Sequence, residues 1–422
     1  MKRISIIGGG ISGLAVLHYL KQQMGDTVEI TLFEREAEVG GTIRTIKKGD
    51  CLFECGPNAF LDYQPSTLQL IEELGLTDQL IEAAPGSRRR YIQIKGKLLP
   101  IPMDPVSFIR TPLISSDDKW SLLIGLFKKN ISKDRSIYAY FSQRFSPEIA
   151  ESLVDPFISG IYAGNIKRLH MGAAFPKFNR KGSKRKTHMC SFKGGMGDII
   201  LELGKRYKEH IQTNAVIPDL TSLRPGWDIT VIATPAYAAA RIVNNLNPAL
   251  AGVLEQIPYA PVAVVGLLFK KTAFKKIPDG FGYLIPSQEN KEVLGVLLES
   301  NVYPNRAQAD EVMIRVILGG AHHPAIRNSS SEQVLSSAIK EIDAVYGLGS
   351  KPVETFVKLW PQAIPQYEMD YPLWHKEIAL QCLKTPGVFL CANYLDGISF
   401  NDCINNAQVT AIGIKNQSSG NI

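Results

Sequence analysis

The chain has 422 residues, enough for two or three domains, and 45% hydrophobic with 21% charged residues is the balance of a folded globular protein rather than a disordered one. Its net charge of +7 is unevenly spread: residues 88–186 carry 20 Lys and Arg against 7 Asp and Glu, a net of +13, which leaves −6 for the remainder. No apolar run approaches the roughly twenty residues of a membrane-spanning helix, and six cysteines without Cys-x-x-Cys or zinc-finger spacing argue for reduced thiols, a cytoplasmic setting and no metal centre.

Met1-Lys2-Arg3 runs straight into the apolar run Ile4 to Ile7, which reads as a strand and not as a cleaved leader. Gly8, Gly9, Gly10, Ile11, Ser12 and Gly13 follow with the spacing of a strand-to-helix turn whose backbone approaches a pyrophosphate. The helix expected over Ser12 to Met24 points its N-terminal N–H groups and positive dipole end at those phosphates. A second apolar strand, Val28 to Phe33, ends in Glu34, placed to accept hydrogen bonds from both ribose hydroxyls and to disfavour a 2′-phosphate. A further glycine pair, Gly40 and Gly41, then Thr42 and Arg44, lets the chain pass close to the far end of the diphosphate, with Arg44 read either as a phosphate contact or as a solvated loop cation. A simple nicotinamide fold would already be in its next helix here, so these elements together point to FAD.

Cys51 to Phe60 reads as a strand closed by a tight turn at Gly56-Pro57-Asn58, and a helix is expected over Ser66 to Leu74, capped by Ser66 with Gln69 and stopped by Gly75. The basic segment 88–186 reads mainly as helices, including Ser136 to Phe145 and Pro147 to Pro156. Its stretch Asp117 to Asn130 carries acids in the first turn, lysines in the last and an apolar stripe with Trp120. That stripe suits a lipid headgroup layer or a small helical core equally well. Nucleic acid fits the basic runs Arg88-Arg89-Arg90, Lys128-Lys129, Lys167-Arg168 and Arg180 to Lys186 worst, because no recognisable binding motif accompanies them. Dinucleotide-domain patterning resumes at Gly194-Gly195-Met196-Gly197, with strands at Ile211 to Val216 and Ile229 to Thr234. Val262 to Phe269, Phe281 to Ile285, Val293 to Leu298 and Val312 to Leu318 suggest a mostly antiparallel sheet. A helix over Ser331 to Tyr346, a strand at Val388 to Cys391 and a helix over Asn401 to Lys415 close the chain. The fold class read from this order is α/β (α+β overall). It comprises a discontinuous Rossmann-like FAD domain (1–50, 187–245, 355–422), a mixed-sheet substrate domain (51–87, 246–354) and a basic helical insert (88–186).

Beyond the glycine motifs, the stretches Phe157 to Gly164, Tyr259 to Val265, Gly280 to Ser287, Tyr303 to Ala307, Trp360 to Tyr367 and Gly397 to Cys403 resemble the protoporphyrinogen oxidase family within the amine oxidase superfamily. The resemblance implies non-covalent FAD, because neither Cys391 nor Cys403 sits in a flavin-attachment motif. It further implies that Val216 meets the adenine through its backbone, that Asn393, Ile398, Ser399 and Phe400 lie beside the flavin, and that Gly56, Pro57 and Asn58 line its ring side. Arg90 is implied as partner of a substrate propionate, Gly160 as a backbone neighbour of the macrocycle, Leu294 as an apolar wall, and Ile314 as the replacement of a stacking aromatic. The implied reaction is oxidation of protoporphyrinogen IX to protoporphyrin IX in haem biosynthesis, with coproporphyrinogen III as the rival substrate. An amine oxidase and a non-catalytic membrane-docking flavoprotein are the other readings. No general base stands out; His322 and His323 read as a surface turn. The electron acceptor stays open between oxygen and another oxidant, the assembly is open to a homodimer, and the insert is open to an anionic membrane at the inner face of the cell membrane.

Overall fold

A computed structural model describes residues 1–49, 51–128, 131–176 and 186–418. β-Branched apolar runs form one parallel sheet in the order Ile211–Gln212, Val28–Phe33, Lys2–Ile7, Ile229–Ile232, Val388–Leu390. Its strands lack a polar face because both sides are covered. Ile4, Ile6, Ile30, Leu32 and Val231 pack under the helices Ile11–Met24 and Phe400–Ser418, while Ile7, Ile232 and Val388 pack under Ala236–Val243 and Pro248–Glu255. The first strand and the last helix of the chain thus share one core.

A seven-stranded sheet runs in the order Glu354–Pro365, Tyr259–Lys270, Glu311–Gly319, Val293–Leu297, Gly282–Leu284, Arg90–Ile94, Lys97–Pro100. All neighbours are antiparallel except Gly282–Leu284 with Arg90–Ile94. Helix Ser331–Tyr346, started by a capping box in which Ser330 and Gln333 exchange hydrogen bonds, packs on one face. Two expected boundaries shift. The hairpin Arg90–Ile94/Lys97–Pro100 is an edge of this sheet rather than part of a helical insert, and Glu354–Pro365, expected within the FAD domain, is the opposite edge. Both strands carry too many polar residues to stand out by alternation, a common property of edges.

Smaller differences have local causes. The helix expected at Ser66 starts at Pro65, whose missing N–H costs nothing in a first turn, and no side-chain cap forms. The single helix expected over Pro147 to Pro156 is broken: a π-turn at Ala150–Val154 precedes Asp155–Tyr162, where Pro156 has no N–H to continue the ladder. The expected strand at Ile211 to Val216 shortens to Ile211–Gln212. Ser115 caps helix Ser116–Phe127. Lys129, Asn130 and Arg180 to Arg185, part of the expected basic runs, lie outside the described residues.

Candidate flavin site and substrate face

The turn after the first strand is held by its own glycines. Gly8 has φ +110°, a Cβ on Gly13 would stand 2.0 Å from the Gly8 carbonyl oxygen, and one on Gly9 would stand 2.8 Å from Val39. Gly10 is different: it precedes helix Ile11–Met24, and a Cβ there would meet nothing within 4 Å. Three glycines are thus closed in by the protein or strained, while the fourth faces open space at a helix N-terminus, where a diphosphate oxygen would sit. Glu34 accepts from Gly9 N at 2.7 Å and Glu36 N at 2.9 Å, which fixes its carboxylate beside that opening. Ile11 and Ser12 are buried in the helix start. The second glycine pair closes on the first, with Gly40 N donating to Gly9 O at 2.7 Å and Gly41, at φ +58°, against Gly10. Arg44 lies beyond Thr42 in the same loop, and its buried Nε has no hydrogen-bond partner. Open backbone, a fixed carboxylate and a buried guanidinium Nε without a partner in one loop fit a flavin dinucleotide. Val216 is 70% exposed just after Ala215 N, which bonds Glu34 O, so its backbone borders the same edge.

The turn Gly56-Pro57-Asn58 lies against this loop: a Cβ on Gly56 would stand 2.1 Å from Thr42 O. Asn393, Ile398 and Ser399 lie on the segment between strand Val388–Leu390 and the last helix, Phe400–Ser418. Tyr367 Oη donates to Asn393 O and accepts from Gly397 N, at 2.8 and 2.9 Å, and Ser399 caps Phe400–Ser418 with Asp402. Phe400 turns inward, its ring 5.2 Å from that of Phe60. Cys391 and Cys403 are buried, and burial pushes their thiols up to about 12 and about 11, which keeps them protonated and poor nucleophiles.

Sequence reasoning missed a buried charge cluster beneath the Gly56 turn. Glu54 accepts from Met196 N and Thr45 Oγ1, both at 2.8 Å, and lies 3.7 Å from the fully buried Arg306, which also donates to Ser191 Oγ and Phe192 O. Burial pushes the Glu54 carboxyl up to about 7, more strongly than its two hydrogen bonds pull it down. Arg315 donates to the Gly56 carbonyl and pairs with the buried Glu299 at 3.6 Å. These residues come from four segments, so no local spacing announces them.

Alternation divides the seven-stranded sheet into two faces. Ala263, Val265, Leu267, Ile314, Val316 and Leu318 point to helix Ser331–Tyr346. Leu294, Val262, Val264 and Ile317 point the other way, with Ala163 at the end of helix Asp155–Tyr162. Gly160 belongs there too, its would-be Cβ 3.0 Å from Leu284 Cδ2. Arg90 is in register with Gly282, two residues before Leu284, exposed at the rim with its guanidinium 4.6 Å from the Phe281 ring centroid. The structure therefore brings Arg90, Gly160 and Leu294 to one face and corrects Ile314, which is fully buried in the helix-packed core. The side chain in a position to border a ligand is Ile317, three residues on and of opposite parity. His322 follows that strand half-buried, its imidazole pKa lowered by burial first of all.

A glycine-lined dinucleotide turn on a parallel sheet, roofed by a second sheet, defines a two-sheet flavoprotein oxidoreductase. The sequence profile described as flavin containing amine oxidoreductase matches residues 11–412, and the chain belongs to that family, with FAD as its cofactor. It is 25% identical to protoporphyrinogen oxidase 2, chloroplastic/mitochondrial, of Arabidopsis thaliana over 96% of this chain and 92% of that protein. It is also 25% identical to coproporphyrinogen III oxidase of Bacillus subtilis over 96% of both. The crystal structure of "Putative protoporphyrinogen oxidase" from Exiguobacterium sp. 255-15 superposes with a TM-score of 0.83 at 21% identity, covering 99% of each chain.

Proposed function

We propose that the protein oxidises protoporphyrinogen IX to protoporphyrin IX with FAD, a step of haem biosynthesis. The observation that carries this reading is the near-full-length similarity to proteins named for porphyrinogen oxidation, in a chain whose second sheet turns an apolar face, rimmed by Arg90, toward the flavin loop. Aromatising a porphyrinogen removes six electrons, and bound flavin supplies a two-electron oxidant for each of three rounds. The chain's own work is positional. Leu294, Ile317 and Leu284 exclude water and hold an apolar disc, Gly160 lets a helix approach it without a side chain between, and Arg90 orients the carboxylate rim. Two carboxylates near this face, Glu54 and Glu299, are buried beneath the Gly56 turn, and no general base is asked of them because the substrate yields hydride to the flavin. Incubating purified protein with the porphyrinogen in air and following porphyrin fluorescence tests the proposal; flavin-loaded protein that generates no porphyrin sinks it.

Coproporphyrinogen III is the second reading, favoured by the Bacillus subtilis relative. Its four propionates would engage Arg88 besides Arg90, since Arg89 is already paired with Asp279 at 2.9 Å. The same assay run on both substrates ranks them by kcat/KM.

The helical region also suits attachment to one membrane face. Among the described residues no helix is long and apolar enough to cross a membrane. Yet Met103, Val106 and Ile109, with Trp120, Leu123, Ile124, Leu126 and Phe127, are between 47% and 82% exposed. Only Gly125 of helix Ser116–Phe127 is buried, so the apolar stripe is not spent on a core. Arg110, Lys119 and Lys128 flank it, matching an anionic headgroup layer. Flotation with anionic liposomes should carry the protein up, and Leu123→Glu with Phe127→Glu should leave it in the dense fraction; flotation unchanged by both rejects the assignment.

A further inference from the structure

Glu299 is 3% exposed, and neither of its carboxylate oxygens makes a well-formed hydrogen bond, Arg315 and Asn58 being its polar neighbours. Its nearest cation, Arg315 Nη1, is 3.6 Å away. Burial pushes its carboxyl up, with Arg315, Arg306 and Asn58 pulling it down. Such a group is expensive to keep, because desolvation of a charge is only partly returned by one long ion pair. Arg315 is equally unusual. It is 8% exposed, sits on the sheet face opposite the helix-packed core, and spends one guanidinium nitrogen on the Gly56 carbonyl while its Nε has no partner. A void of about 10 Å³ separates Glu54, Glu299, Gly266 and Arg315. Replacing a buried ion pair by apolar residues of similar volume is often neutral or stabilising, so stability is a weak reason for these charges.

What they touch does. Gly56-Pro57-Asn58 is the turn that packs on the Thr42 loop at the flavin site, and Arg315 reaches it from the substrate sheet. We propose that Arg315, held by Glu299, is a positioning residue for the flavin: it fixes the Gly56–Asn58 turn against the ring and places a buried cation there that favours the more negatively charged, reduced flavin. The inference rests on the ring-side placement of that turn. Opposite charges in a site shielded from water act on a redox equilibrium in opposite directions.

The experiment is a spectroelectrochemical titration of flavin-loaded Arg315→Met, Arg315→Lys, Glu299→Gln and Asn58→Ala at pH 8, alongside FAD affinity by fluorescence. Arg315→Met should lower the reduced-to-oxidised equilibrium at least tenfold, about 30 mV for a two-electron couple, and weaken FAD binding. Arg315→Lys should keep the potential within about threefold of the parent, and Glu299→Gln should shift it the other way. Folded Arg315→Met with parental potential and affinity overturns the proposal, as do shifts of the same sign in Arg315→Met and Glu299→Gln, which would mark mere loosening. Should Arg315→Met not fold, Glu299→Gln and Arg315→Lys decide by the same criteria. Asn58→Ala separates two failures: if it alone disturbs the flavin spectrum, the charge pair is wrong but the turn is correctly placed, and if none of the four does, the placement fails as well.

Discussion

At the nucleotide end of the site, Glu34 meets Gly9 across 25 positions and Gly40 closes on Gly9 within the same opening segment. At the turn proposed to border the ring, the Gly56 carbonyl is held by Arg315 across 259 positions, and the cluster beneath it draws on Thr45, Glu54, Met196, Glu299 and Arg306. The first end is a device that a short peptide encodes through missing Cβ atoms. The second exists only once two sheets have docked, and it carries charges that no local rule predicts.

The largest expected effect tests the first end. Gly13→Val would drive a side chain into Gly8 O, only 2.0 Å from the Cβ position, and should give protein without bound FAD, its affinity down more than about 100-fold. Gly10→Val sharpens the point. Its Cβ meets no protein atom, so thermal unfolding of the FAD-free protein should match the parent while FAD affinity still falls. An affinity for FAD unchanged by Gly10→Val would show that the open space is not the ligand's.

The same contrast explains what was legible. Helix Ser331–Tyr346 and the strands from Val262 to Leu318 follow from periodicity and caps, and Glu34 from its distance past the glycines. The hairpin at Arg90 and the strand at Trp360 did not announce themselves, because their pairing partners are remote and their faces mixed. Ile314 occupies the face opposite to the one its resemblance implies. In a strand a shift of one position reverses the face, so a motif matched one or three residues off inverts every inference about contact. The two isoleucines can be told apart. Ile314→Ala empties a fully buried core position and should cost about 2–4 kcal/mol in chemical denaturation with KM unmoved, whereas Ile317→Ala should raise KM several-fold at smaller cost. Reversed outcomes would put the substrate on the helix-packed face.

Glu54 probes the buried cluster through pH. Its folded pKa of about 7 stands above the ordinary glutamate value of 4.5, so the folded state binds the proton more tightly. Stability from this group is therefore full below about pH 4.5 and is lost as pH rises through 7. Glu54→Gln cannot ionise and should flatten that slope, gaining on the parent by about 2 kcal/mol between pH 5 and pH 8, whatever its absolute cost from Arg306 losing a partner. Parallel stability curves for the two proteins would show that Glu54 is ionised throughout, and that the cluster is a plain ion-pair network.

Arg90 gives the smallest effect and tests whether the rim recognises charge at all. Its neighbour Arg89 is neutralised by Asp279, whereas Arg90 stacks on Phe281 and has no acidic partner among the described residues. Partial desolvation against Phe281 lowers its pKa, yet a guanidinium stays charged at neutral pH. Under the proposed function, a cation kept unpaired beside an apolar face would meet an anionic group on the ligand. Arg90→Ala should raise KM about tenfold, the loss of one solvent-screened charged contact, with kcat nearly constant because the reacting carbon lies away from the rim. Arg90→Lys should recover part of that loss, since charge persists while the planar fork is gone. If KM responds equally to Ala and Lys, stacking on Phe281 rather than charge sets the rim; if neither moves it, the carboxylates of the substrate point elsewhere and the ring enters this face in the opposite orientation.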